Sequence, residues 1–397
     1  MIVAVIGGGA SGLIGALTAA QNGASVTIYE RCDRVGRKIL ATGNGRCNMT
    51  NINAKTRNYH GEDNSFIEDV KSQFWVSETL AYFEELGLMY KVEEKGRVYP
   101  YSDTATSVLD VLRNAINEMG IEIKTDFEVK ELKPLKNGYE IVSYTGQRAF
   151  CERAIVATGG KASPSLGSNG SGYNIATKLG HGITKLTPSL VQIKTEGDVA
   201  KKLKGLKLQC SITSKNVTKD GELLFTEYGL SGVSVFEMSA YINTGDIIEI
   251  DIFPKHSKND MLNIIKKRVE ALGNTEMENF FVGMLNKRVG QVFLKSIGIE
   301  PLSKKVSALT QLEIENIAYS LKRWKFTVSG TMSWNNAQVT RGGIKTNEIN
   351  SHTLESKKHK GLYFCGEILD IDGDCGGYNL QWAWSSGYVA GRESARK

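Results

Sequence analysis

The stretch Ile2-Val3-Ala4-Val5-Ile6-Gly7-Gly8-Gly9-Ala10-Ser11-Gly12 sets an unbroken apolar run directly against a G-x-G-x-x-G pattern. The run predicts a buried strand, and the glycines predict a tight turn into a helix. Gly7 permits the turn, Gly9 lets backbone approach a pyrophosphate, and Gly12 lets the next helix pack closely on the strand. Leu13 to Asn22 is the expected helix. Its N-terminus offers unpaired N–H groups and the positive end of the helix dipole to an anion, with no side-chain cation needed.

Outward from this stretch, Gly23 is a C-cap, Val26 to Tyr29 a second strand, and Glu30 stands 18 positions after Gly12. An acid there accepts hydrogen bonds from a ribose hydroxyl. A lone G-x-G-x-x-G is weak, but strand, helix and acid together make Met1 to Glu30 a dinucleotide-binding unit and the chain a nucleotide-cofactor enzyme. A secretory signal does not fit: no cation precedes the apolar run, and three successive glycines make a poor hydrophobic helix.

The 397 residues, 41% hydrophobic and 23% charged, suit a soluble protein of two or three domains. No apolar stretch approaches the roughly 18 residues of a membrane span. A cytoplasmic protein with no membrane partner is therefore expected. The net charge of +6 is modest. The lysines at 201, 202, 204 and 207, and at 357, 358 and 360, read as solvated faces, because no nucleic-acid motif and no interleaved aromatics accompany them. No nucleic-acid partner is expected. The cysteines include no C-x-x-C pair, and the five histidines lie singly, without metal-ligand spacing or an adjacent acid. Disulfides and metals are not expected, and the histidines are assigned surface or packing roles.

A second glycine-rich segment, Arg34 to Asn51, carries Lys38, Gly43, Asn44, Gly45, Arg46, Cys47 and Asn48. Its cations suit phosphate or an electron-rich ring, and its glycines allow close backbone approach. Helices are expected at Ser77 to Gly87 and Ser107 to Gly120, and strands at Ile121 to Lys124, Tyr139 to Tyr144 and Ala154 to Ala157. The last of these ends in Ala157-Thr158-Gly159-Gly160, at the strand end where α/β sheets place ligands. Short alternating strands come next at Leu208 to Thr213, Glu222 to Thr226 and Ile247 to Phe253. Helical spacing then runs over Met261 to Leu272, Met277 to Ile297 and Leu312 to Trp324, with capping boxes at Thr275…Glu278 and Thr310…Glu313. Phe326 to Thr331 returns as a strand, Leu362 to Cys365 rejoins the nucleotide sheet, and a last helix starts near Leu380.

Four motifs together resemble one family: Gly7 to Gly12; Thr42-Gly43-Asn44-Gly45-Arg46-Cys47-Asn48; Ala157 to Gly160; and Gly366-Glu367 with Gly376-Gly377-Tyr378-Asn379-Leu380-Gln381. The chain is similar over nearly its whole length to the bacterial YhiN/BaiN flavoproteins, a group within the two-dinucleotide-binding-domain flavoproteins that includes aminoacetone oxidase. The resemblance implies an α/β fold: a Rossmann-like FAD-binding domain with an inserted β-barrel-like domain and a helical subdomain. The boundaries expected are 1–187 and 337–397 for the FAD domain, 188–255 with the return strand 325–336 for the β domain, and 256–324 for the helical insert.

The resemblance also implies non-covalent FAD. Gly7, Gly8, Gly9, Ala10, Ser11, Gly12, Glu30 and Arg31 would hold its pyrophosphate and adenosine ribose, with Val129 near the adenine. Lys38, Asn44, Gly45, Arg46, Cys47 and Asn48 would line the flavin side, Ala157, Thr158 and Gly159 the sheet edge, and Gly366 and Glu367 the ribityl region. Gly377, Tyr378, Asn379 and Leu380 would present N–H groups to the flavin N1 and C2 oxygen. The expected activity is FAD-dependent hydride transfer at flavin N5 to or from a small organic substrate, as an amine oxidase or a reductase of unsaturated substrates. No second G-x-G-x-x-G unit offers NAD(P)H its own domain, so NAD(P)H is expected only as a transient reductant, with oxygen the other candidate partner. A binding, sensing or RNA-modification role is the competing expectation. No acid or base is assigned from sequence; Tyr378 and Arg341 are weighed as a proton donor and a carboxylate ligand.

Overall fold

The computed structural model describes residues 1–396. The chain divides into two compact units: Met1–Pro188 with Ala337–Lys397, and Ser189–Asn336. Among the described residues, no helix is long and apolar enough to cross a membrane.

The first unit is built on five parallel strands in the order Leu362–Phe364, Arg153–Val156, Ile2–Ile6, Ser25–Tyr29 and Glu122–Lys124. Val3, Val5, Ile28, Ile155 and Phe364 are fully buried, as expected of parallel strands covered on both faces. The first strand lies between its successor Ser25–Tyr29 and the much later Arg153–Val156, so the connections diverge there. A crevice outside the carboxyl ends of such strands is where this topology binds ligands.

Helix Ala10–Gln21 and the last helix, Tyr378–Ala395, lie against each other through glycines. A Cβ on Gly391 would stand 2.4 Å from the Gly15 carbonyl oxygen, and one on Gly387 2.4 Å from that of Ser11. Only a residue without a side chain lets the backbones come this close. An antiparallel meander runs Val129–Leu135, Gly138–Ser143, Arg148–Cys151, and a small sheet orders Thr50–Asn51, Arg97–Pro100 and Tyr90–Val92.

The second unit is a closed antiparallel barrel of Ile193–Thr195, Gly229–Ser231, Val217–Phe225, Lys207–Ser214, Ile247–Asp251 and Trp324–Thr331. Helices Lys258–Leu272, Lys287–Ser296 and Gln311–Lys322 share one apolar core with it, including Ile250, Ile265, Phe293 and Leu321. The expected fold class is the one observed: a Rossmann-type domain with a β-barrel insert and a helical part.

Local expectations fail where the chain bends. The helix expected over 277–297 is a short 3-10 turn, Met277–Asn279, and a separate helix, Lys287–Ser296. Gly283 between them takes the left-handed φ of +85°, which ends helical propagation, and Asn286 opens the second helix by accepting the Arg288 N–H at 3.0 Å. The box expected at Thr275…Glu278 does not form, because the turn begins at Glu276 without a side-chain cap. Thr310…Glu313 does form, and so does Ser257…Asp260, which sequence reading missed. Trp324 opens a strand instead of ending a helix.

Candidate functional site

The glycine motifs converge at the carboxyl ends of the parallel strands. Gly7 ends the first strand with φ +101°, and a Cβ there would fall 2.6 Å from the Ala157 carbonyl oxygen. At Gly12 a Cβ would stand 1.9 Å from the Gly7 carbonyl oxygen, so this helix can approach its strand only without a side chain. At Gly9, the N-cap, nothing lies within 4 Å of the Cβ position and no side chain caps the helix. The helix thus presents an open, donor-rich end, and Ala10 and Ser11 form its first turn.

Glu30 is buried just beyond the second strand. Its Oε2 accepts the Gly8 N–H at 2.8 Å and its Oε1 that of Cys32 at 2.8 Å. Arg31 turns its guanidinium toward Glu128, 3.4 Å away, and donates to the Gly167 carbonyl. Val129 opens the meander, buried. Ala157, Thr158 and Gly159 come directly after the strand Arg153–Val156, and the Ala157 N–H donates to the Ile6 carbonyl at 2.8 Å. Ser11 also meets the fourth motif: a Cβ on Gly366 would stand 2.4 Å from its Oγ. Glu367 accepts Lys38 Nζ at 2.7 Å on one oxygen and the Thr340 N–H at 2.8 Å on the other.

The segment Gly43 to Cys47 is unusual backbone. Gly43, Asn44, Gly45 and Cys47 all take left-handed φ, between +57° and +84°. Such conformations are costly outside glycine and mark a loop held to a set shape. Arg46 helps to hold it: its guanidinium pairs with Glu93 and Asp103 and stacks 4.0 Å over the Tyr99 ring. Cys47 is buried, which pushes its thiol up to about 12. Asn48 is also buried, and its Oδ1 has no hydrogen-bond partner. That oxygen lies 3.0 Å from the Cβ position of Gly377, the N-cap of the last helix, whose φ is +101° and which no side chain caps. Asn379 locks the approach by bonding both the N–H and the carbonyl of Gly373, while the Tyr59 hydroxyl donates to the Tyr378 carbonyl. Leu380 packs on the core.

Every residue singled out from the motifs therefore lies in this unit, although the cations Lys38 and Arg46 spend their charge on the chain's own carboxylates. Several features were invisible to sequence reading. His60 Nε2 lies 2.9 Å from Asp374 and His181 Nδ1 3.1 Å from Glu348, acids that are remote in sequence and that the fold brings to these histidines. Arg341 meets Asp372 at 3.2 Å. Burial pushes the neighbouring Asp370 up to about 6. Gln381, fully buried, bonds the hydroxyls of Thr50, Thr79 and Ser385.

A family model described as HI0933-like protein Rossmann domain matches residues 1–393. The chain is 37% identical, over its whole length and 99% of the relative, to a 3-dehydro-bile acid delta(4,6)-reductase of Clostridium scindens. It is 30% identical to a ribosomal RNA dihydrouridine synthase of Haemophilus influenzae, covering 99% of this chain and 98% of the relative. Among solved structures, it shares its fold with a 3-ketosteroid-delta4-(5alpha)-dehydrogenase of Rhodococcus jostii, with a TM-score of 0.50 at 13% identity, over 100% of this chain and 96% of that one.

Proposed function

Since the chain belongs to the HI0933-like family of Rossmann flavoproteins, we propose that it is an FAD-dependent reductase of carbon–carbon double bonds conjugated to a carbonyl. The observation that carries this reading is the pair of full-length relatives with different substrates in their names. A Δ4,6 unit beside a 3-keto group and the 5,6 bond of uracil beside its 4-carbonyl are chemically alike: each takes a hydride at the β-carbon. This chemistry favours the reductase over the amine oxidase.

The residues fit FAD. Two uncapped helix N-termini, at Gly9 and Gly377, offer donors, and Asn48 Oδ1 is a buried acceptor without a donor. Gly7 to Gly12, Glu30 and Arg31 would hold the pyrophosphate and ribose, with Val129 at the adenine. Ala157, Thr158, Gly159 and Gly366 would line the middle, and Asn48 with the N–H groups of Asn379 and Leu380 would hold the pyrimidine edge of the ring. Bound FAD supplies hydride at N5. Lys38 and Glu367 fix the second motif to the fourth, and Arg46 keeps the strained loop in shape. NAD(P)H is the proposed reductant, visiting the same ring.

The ribosomal RNA relatives favour a second substrate for the same chemistry, a uridine within RNA. Anaerobic titration of the purified protein separates these readings. NADH or NADPH should bleach a flavin spectrum, and a 4-en-3-one steroid or uridine-containing ribosomal RNA should restore it. Restoration by one substrate and not the other identifies the class. A colourless protein that takes up no FAD would refute the proposal.

A further inference from the structure

At the small sheet beside the last helix, and in the loop that leads into that sheet, three cations share one neighbourhood but not one fate. Lys91 and Arg46 both reach Asp103 and Glu93. Arg97, in the central strand, is half-buried, yet among the described residues its side chain has no carboxylate or hydrogen-bond partner. A half-buried charge left without a partner is costly, and proteins usually pair it.

The position of Arg97 says what would pair it. Its Nε lies 3.9 Å from the Cβ position of Gly376, in the turn that opens the last helix. Asn51, its cross-strand partner, donates to the carbonyls of both Lys95 and Gly376 at 3.1 Å, tying the strand to that turn. The uncapped N-terminus of an 18-residue helix adds a second positive field. The unpartnered, buried Asn48 Oδ1 faces the same N-cap. A guanidinium and a helix N-terminus near one buried acceptor supply the groups that a ring edge with an N–H flanked by carbonyl oxygens calls for.

We propose that Arg97 is an oxyanion-binding residue, which holds a carbonyl oxygen as that oxygen gains negative charge during hydride transfer. The inference rests on the flavin reductase reading. Two oxygens have this chemistry. One is the flavin C2 oxygen, charged when the ring is reduced. The other is the carbonyl oxygen of the substrate: as the reduced ring gives its hydride to the β-carbon and returns to the oxidised form, a C–H bond forms, the C=C π pair moves onto that oxygen, and a solvent proton then completes the α-carbon.

Arg97→Gln and the charge-retaining Arg97→Lys test this in the FAD-loaded protein, with thermal unfolding to confirm that each folds. If the flavin is the partner, Arg97→Gln makes the FAD midpoint potential more negative by about tenfold in the reduction equilibrium, about 30 mV for a two-electron couple. If the substrate is the partner, the potential stays and reoxidation of reduced protein by the enone slows by about 10²-fold. In both cases Arg97→Lys lies between wild type and Arg97→Gln. Potentials and reoxidation rates in both variants equal to wild type overturn the role of Arg97 while leaving the flavin reading intact. A wild-type protein that binds no FAD overturns both.

Discussion

Lys38 Nζ and Glu367 Oε2 meet at 2.7 Å across 329 residues of sequence, joining the second glycine motif to the fourth. The pair is about three-quarters buried on each side, and the other Glu367 oxygen takes the Thr340 N–H. Glu367→Gln keeps an acceptor for Thr340 but leaves Lys38 unpaired. A stability loss of about 1 to 2 kcal/mol is expected, with poorer flavin retention. Urea unfolding of Glu367→Gln, Lys38→Met and the double variant measures the coupling, expected at about 0.5 kcal/mol or more. Additive losses would show that the pair does not act as a unit.

Gly12 admits no side chain. With the Cβ position 1.9 Å from a backbone oxygen, Gly12→Ala must push the helix from the first strand. Overpacking of this kind costs about 1 to 3 kcal/mol. The flavin-to-protein absorbance ratio should fall more than in Gly23→Ala, where the Cβ meets nothing within 4 Å. Equal ratios in the two variants would contradict the close packing.

Asp370 gives a pH signature. Burial raises its carboxyl from 3.8 to about 6, so the folded chain holds that proton more tightly than the unfolded chain. Its contribution to stability is complete below about pH 4 and is lost as the pH rises through about 6. Asp370→Asn should remove this loss. The difference in stability between variant and wild type should grow between pH 4 and 6, toward about 2 kcal/mol in favour of the variant. A difference flat across that window would refute the assignment.

Cys47 and Cys365 should be inert. Both thiols are buried and pushed up to about 12, leaving almost no thiolate at pH 8. Iodoacetamide should label the partly exposed Cys32 and Cys375 first, as read by peptide mass spectrometry. Early labelling of Cys47 would mean that the left-handed loop opens readily.

The sequence revealed what is local. Gly7, Gly12 and Glu30 announce their geometry because turn, helix contact and neighbouring strand lie within thirty residues. Four of the six barrel strands and the Thr310 box were legible for the same reason, while the three-residue strands Ile193–Thr195 and Gly229–Ser231 are too short to show a period. Pairings closed by topology were not: nothing near Gln381 points to Thr50 and Thr79, nothing near His60 to Asp374, and nothing in Arg97 says that Arg46 and Lys91 have taken the nearby carboxylates. The break at Gly283 is hard to see because apolar spacing on both sides outweighs one glycine, whose left-handed φ then decides the matter.

The nucleotide sheet begins with Ile2–Ile6 and closes with Leu362–Phe364, and Tyr378–Ala395 seats its glycines on the first helix. This split imposes a timetable on biosynthesis. A ribosome adding about 5 to 20 residues per second synthesises the entire Ser189–Asn336 unit before it makes the last strand. The opening motif must therefore wait on an unfinished sheet, and cofactor loading is a late event that follows synthesis of Leu362–Phe364 and the last helix.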